Sequence, residues 1–263
     1  LYGGGENVLH PLFRMAWMDE NCKLPVLAGK MKGANIIPTI DVNDLASITV
    51  ASIAETPESP YVVAVDKSQS SLREIVQAIS TAVGSGKIED LTREQTQAIL
   101  MKEPGMTSLN SHLTFSLDGG AVEKMGFEWK SEDGLIVNID SVVEDYKRSR
   151  DLRPVRVIVM GPPHSAGLKE RAEELAKSYY VPLITPRSAI ALALVSPPEP
   201  TEGDEAPEDP NAELREAVAA AAGADGAGEI KDTALLCQVI RLAMNSRACK
   251  NKGWVLGAGL PTS

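Results

Sequence analysis

Apolar positions along this chain fall into short blocks that switch between strand-like runs and helical spacing. Asn35 to Ile40 (NIIPTI) is a short β-branched run. Val42 to Glu55 then sets Leu45, Ile48 and Ile53 near helical spacing, with Asn43 as the N-cap. Tyr61 to Asp66 (YVVAVD) is continuously apolar, which predicts a buried strand. Ser71-x-x-Glu74 forms a capping box ahead of Leu72, Ile75, Val76, Ile79 and Val83, and Gly84 stops that helix. Leu91 to Met101 reads as another helix, and Gly134 to Arg150 as an amphipathic one.

A second unit begins near Arg153-Pro154, giving predicted domains of 1–152 and 153–263. Val155 to Met160 (VRVIVM) predicts a strand buried on both faces, and Gly161 to Gly167 a tight loop. A helix follows with Leu168, Ala172, Leu175, Ala176 and Tyr179 on one face, then a strand at Val181 to Thr185. Asp232 to Ser246 predicts a capped amphipathic helix, and Gly253 to Gly257 a third strand. Alternating β and α blocks predict an α/β chain with a parallel, doubly wound sheet. Ser196 to Glu213 is rich in Pro and acids and has no large apolar residue, and the stretch after it is Ala- and Gly-rich. Residues 196–230 are therefore expected to form a solvated, disordered acidic insertion.

Composition changes this picture little. With 263 residues, 43 % of them hydrophobic, the chain can build one large or two ordinary cores. A net charge of −10 gives little electrostatic pull on nucleic acid or anionic lipid, so neither is an expected partner. No apolar run is long enough for a membrane span. Cys22, Cys237 and Cys249 are scattered, as are the three histidines, which argues for reduced thiols and against a disulfide framework or zinc site. Starting at Leu1 without a signal-peptide pattern, the chain reads as an internal piece of a longer protein.

The candidate chemistry lies in Gly161-Pro162-Pro163-His164-Ser165-Ala166-Gly167-Leu168-Lys169. A strand, a glycine-containing loop and a helix start make an anion site from free backbone N–H groups and the helix dipole. The residues expected at such a site are Gly161, Pro162, Pro163, Ser165, Gly167 and Lys169. A phosphate loop of the form G-x-x-x-x-G-K-[ST] adds a lysine for the β/γ-phosphates and a hydroxyl for Mg²⁺. Here Ala166 stands at the second glycine position, Gly167 at the lysine position and Leu168 at the hydroxyl position. Lys169 comes two residues late, a rotation of about 200° on a helix. His164 replaces a loop glycine and narrows the loop, and no catalytic residue is assigned.

The segments VIVMGPPHSAG, AEELAKSYYVPLIT and NKGWVLGAGLPTS together resemble the adenylate kinases. They are similar to that family's first strand and phosphate loop, first helix and second strand, and a later strand leading into Asp-Gly-Phe-Pro. The resemblance implies the N-terminal part of a P-loop domain that uses ATP and Mg²⁺. This sequence departs from the family at the working residues. Thr185 is followed by Pro186 and Arg187 with no arginine on the helix beyond, and Leu256-Gly257-Ala258-Gly259 lacks the aspartate. The family's lid arginines fall past Ser263.

LYGGGENVLHPLFRMAW, NIIPTIDVNDLA and YVVAVDKSQSSLREIVQAI resemble the later part of the extended short-chain dehydrogenases. That implies the C-terminal portion of a Rossmann-like domain over Leu1 to Arg150. The family's NAD(P) fingerprint is absent from this chain, and no Tyr-x-x-x-Lys occurs. Asp41 and Asp44 read as helix-start residues. A dehydrogenase-like unit followed by an adenylate-kinase-like unit resembles the ciliary members of the adenylate kinases. The resemblance implies a component of the cilium or flagellum axoneme, in the cytoskeleton. Its expected partners are other axonemal proteins of the microtubule doublet, radial spoke or central apparatus. Three roles stay open: a structural pseudo-kinase with a degenerate loop, an active nucleoside monophosphate kinase (ATP + AMP to 2 ADP), or a module that binds nucleotide without turning it over.

Overall fold

A computed structural model describes residues 1–19, 22–27, 33–55, 57, 59–110, 114–161, 167–195, 211–223 and 230–257. The chain is α/β with small parallel sheets and divides into two compact units, Leu1–Leu152 and Arg153–Ser263.

In the first unit the elements run α1 (His10–Met18), β1 (Leu24–Val26), α2 (Val42–Ala54), α3 (Leu72–Val83), β2 (Ile88–Asp90), α4 (Arg93–Lys102), α5 (Gly134–Val137) and α6 (Ile139–Ser149). Strands β1 and β2 pair in parallel, Leu24 opposite Ile88. The core is organised by α3. Its stripe of Leu72, Ile75, Val76, Ile79 and Val83 is buried against Leu12 and Phe13 of α1, Leu24 and Val26 of β1, and Val142 and Tyr146 of α6. The Ser71 hydroxyl accepts from Glu74 N–H while the Glu74 carboxylate accepts from Ser71 N–H at 2.8 Å, and Gly84 ends the helix. This is the capping box read from the sequence.

Several expectations are corrected. The cap of α2 is Asp41, which accepts from Asn43 N–H at 2.7 Å, rather than Asn43. Residues 61–66 form no strand. Their backbone link to 36–40 is a bond from Asp66 N–H to Thr39 C=O at 2.9 Å, and Tyr61 and Val63 face solvent while Val65 is buried. Gly134 to Arg150 is two helices, because the Asn138 side chain bonds Gly134 C=O at 2.9 Å and competes with the backbone ladder.

The second unit runs β3 (Val155–Ile158), α7 (Leu168–Tyr179), β4 (Leu183–Ile184), α8 (Pro186–Ala193), α9 (Ala212–Ala222), α10 (Thr233–Met244), α11 (Arg247–Lys252) and β5 (Gly253–Leu256). Its parallel sheet has the order β3-β5-β4, with Arg156 opposite Trp254 and Ile158 opposite Leu256. On one side Ala172 and Ala176 of α7 pack with Val155, Val157 and Val255. On the other, α8, α9 and α10 build a core from Ile190, Val218, Leu236, Val239 and Leu256.

Three further corrections arise here. Strand β3 is not buried on both faces, since Ile158 is 53 % exposed. Tyr179 lies half in solvent rather than on the inner stripe of α7. Residues 211–222 are not part of a solvated insertion: they form α9, with Val218 and Ala222 buried. The rest of 196–230, apart from Gly223 and Ile230, lies outside the described residues. The pairing of β3 with β5 sets a strict demand at Gly253. Its φ is +93°, and a Cβ there would lie 1.9 Å from the Val155 carbonyl oxygen.

Candidate functional site

The three strands of the second unit end side by side. Val159 N–H donates to Leu256 C=O at 2.9 Å, and Gly257 N–H donates to Ile184 C=O at 2.8 Å. Gly161, Thr185 and Gly257 therefore follow neighbouring strands at one edge of the sheet, the carboxyl end, where ligands of open α/β sheets bind. Of the predicted loop residues, Gly161, Gly167 and Lys169 are described. Pro162, Pro163 and Ser165, with His164 and Ala166, lie outside the described residues.

At the end of the loop, Gly167 caps α7 with φ +87°. It stands where a phosphate loop carries its lysine, in a left-handed backbone that costs other L-residues roughly 1–2 kcal/mol. It offers no side-chain acceptor, and its carbonyl accepts from Arg171 N–H at 2.9 Å. Leu168, at the hydroxyl position, lies against the start of the loop. A Cβ on Gly161 would be 2.8 Å from Leu168 Cδ1 and 2.9 Å from Cδ2. Lys169 is turned along the helix, its ammonium 3.9 Å from Glu173 and its side chain 80 % exposed.

The turn after β4 is closed by its own polar groups. Thr185 Oγ1 accepts from Ser188 N–H at 3.1 Å, and Thr185 N–H donates to Ser188 Oγ at 2.9 Å. Pro186 occupies the first turn of α8, and Arg187 beside it is exposed. Among the described residues no group of His, Cys, Asp or Glu could hold a metal ion.

Sequence reading did not reveal a buried polar network in the first unit. Asp44 accepts from Lys130 N–H at 2.7 Å and from Ser131 N–H at 3.0 Å. Lys130 bonds Asp145 and lies 3.6 Å from the fully buried Asp41. Asp66 accepts from Thr39 Oγ1 at 2.7 Å and Ser68 Oγ at 2.6 Å, and burial still pushes its carboxyl above the usual range. Burial, with the nearby Asp66 charge, pushes the Tyr2 phenol up as well. These groups tie residues 36–44, 66–68 and 129–131 together.

The comparisons with known proteins cover nearly the whole chain. Adenylate kinase 7 of Macaca fascicularis is 35 % identical over 272 residues, covering 97 % of this chain and 49 % of that protein. Adenylate kinase 7 of Mus musculus is 32 % identical over 97 % of this chain and 43 % of its own length. This chain is adenylate kinase 7-like. It spans about half the length of the curated relatives it matches. No family model matches the chain, and no solved structure does. The similarity to these two relatives runs through both units of the chain.

Proposed function

We propose that this adenylate kinase-like chain is a structural component of the ciliary or flagellar axoneme whose phosphate loop no longer grips MgATP, so that phosphoryl transfer is weak or lost. The observation that carries the loss is the start of α7: Gly167 in a left-handed backbone where a lysine is required, followed by Leu168 where a hydroxyl is required. Phosphoryl transfer depends on positioning and charge stabilisation. Losing one preorganised donor typically lowers kcat by about 10²–10³, and here two positions change together. The axonemal placement rests on the resemblance in domain order to the ciliary adenylate kinases. It makes microtubule-doublet, radial-spoke or central-apparatus proteins the partners of this reading. The remainder of a Rossmann-like domain would then be a further docking element rather than an NAD(P) site.

The test is calorimetric titration of ATP with and without Mg²⁺ and AMP, followed by a coupled assay of ADP formation on the same sample. Absence of binding at millimolar nucleotide and absence of turnover are expected. Micromolar binding with turnover that disappears in Lys169→Ala would instead establish the active kinase. Binding without turnover would establish a nucleotide-binding module.

A further inference from the structure

We propose that Ser59 is a phosphoacceptor for a proline-directed serine/threonine kinase, and that its phosphate opens the turn made by residues 59–61. This site lies in the first unit and does not depend on the reading of the phosphate loop. Pro60 follows Ser59 directly, and Ser59, Pro60 and Tyr61 are all exposed, Tyr61 at 84 %. A kinase takes its acceptor segment in extended form. Proline biases the residue before it to extended backbone and has no N–H of its own to satisfy. Ser59-Pro60 therefore suits a kinase cleft that offers no partner to the position after the acceptor. Little backbone bonding holds the segment back. Glu55 N–H donates to Ala51 C=O where α2 ends, and Asp66 N–H donates to Thr39 C=O. Between them, residues 57 and 59–65 make no backbone–backbone bond among the described residues. The Ser59 hydroxyl closes the turn locally: Oγ donates to Tyr61 C=O at 2.9 Å and accepts from Tyr61 N–H at 3.2 Å. In the transfer, Ser59 Oγ attacks the γ-phosphorus of the kinase's MgATP. A bond from Oγ to phosphorus forms, the bond from that phosphorus to the bridging oxygen breaks, ADP leaves, and the hydroxyl proton passes to the kinase's base. The esterified oxygen has no proton, so Tyr61 C=O loses its donor. The phosphate also brings a charge of about −1.5 to −2. It arrives just past the negative end of α2, whose C-cap is Glu55 and whose last turn holds no basic residue. Like-charge repulsion there disfavours the closed turn.

The experiment incubates the chain, and its Ser59→Ala, Pro60→Ala and Thr56→Ala variants, with a purified proline-directed kinase of the mitogen-activated class and MgATP. Circular dichroism reports the fold, intact mass shows the phosphates added, and fragmentation places them. Thr56 also precedes a proline but lies outside the described residues, and its variant is the control. Wild type and Thr56→Ala are expected to carry phosphate on Ser59, and Ser59→Ala to lose that label. Pro60→Ala should be labelled at Ser59 roughly tenfold more slowly, or not at all. Chymotrypsin should then cut after Tyr61 several-fold faster in the phosphorylated chain than in the unmodified one. A folded wild type without phosphate on Ser59, including one labelled only at another residue, overturns the site. Labelling of Pro60→Ala at the wild-type rate overturns the proline-directed recognition. Equal cleavage after Tyr61 with and without the phosphate overturns the opening of the turn.

Discussion

The starts of α3 and α7 answer the same problem in opposite ways. At α3, the Ser71 hydroxyl and the Glu74 carboxylate take up the free N–H groups, and those bonds hold the Glu74 carboxyl below its usual range. At α7, Gly167 has no side chain to offer and Leu168 brings only hydrocarbon. A helix start closed by its own acceptors has no donors left for a ligand. One without acceptors keeps its donors, and its chemistry then depends on what lies over it. In this chain the helix that follows the candidate loop starts without a side-chain cap from Gly167.

The largest break in this comparison comes from the sheet that carries α7. Gly253→Ala would drive a methyl group into the Val155 carbonyl, 1.9 Å away, at a φ of +93°. We expect a loss of about 4 kcal/mol or more, read by urea unfolding, in the exceptional range for one substitution. A variant as stable as wild type would mean that β3 and β5 do not meet in this register. Next is Asp44→Ala, which leaves the buried N–H of Ser131 and the N–H of Lys130 without their charged acceptor. Bonds to charged groups contribute about 1.5–3 kcal/mol each, so a loss of about 3 kcal/mol is expected. An unchanged urea midpoint would remove the network from the account.

The two helix starts can be set against each other directly. Ser71→Ala should cost about 1 kcal/mol, because an acceptor is lost, and Ser71→Gly only a few tenths, because glycine is itself favoured at an N-cap. Gly167→Ala should cost about 1 kcal/mol although nothing lies within 4 Å of its would-be Cβ, because what is lost is access to the left-handed backbone. Gly167→Asn should be the milder change, since Asn tolerates that region. If Gly167→Ala and Gly167→Asn unfold at the same urea concentration, the strain argument for position 167 is wrong.

Features set by neighbours in the sequence were legible, and features set by the tertiary fold were not. The Ser71 box, the Gly84 stop and the Asp232 cap each depend on a few adjacent residues, and the structure has all three. Asp41 and Asn43 are both good caps two residues apart, so sequence alone does not choose between them. The apolar run at 61–66 has strand composition, but forming a strand requires a continuous partner edge, and it makes one backbone bond to Thr39. The alanines of α9 carry little apolar signal, so its sequence resembles insertion, yet Val218 and Ala222, with Leu214, seat it in the core it shares with α8 and α10. The position of the candidate loop was visible as a motif. The left-handed Gly167 and the Leu168–Gly161 contact were not, since each is a property of the backbone path. The Asp44–Ser131 bond spans 87 residues and leaves no local trace.

The smallest expected effect separates a buried acid from the exposed caps. Asp66 is 4 % exposed, and burial raises its carboxyl above the usual range despite bonds from Ser68 and Thr39. The folded chain therefore holds this proton at pH values where the unfolded chain has released it. Stability then falls as pH rises from the ordinary carboxylate value through the raised one, and is level above it. Glu74 acts in the opposite sense, since its bonds lower its carboxyl and its contribution is lost as pH falls through that lowered value. The two are separated by variants. Urea midpoints followed from neutral pH downward should show wild type gaining on Asp66→Asn as pH falls, because only wild type relieves a buried charge by taking up a proton. A difference between the two that stays flat across that window would mean that Asp66 is already neutral, or is solvated, in the folded chain.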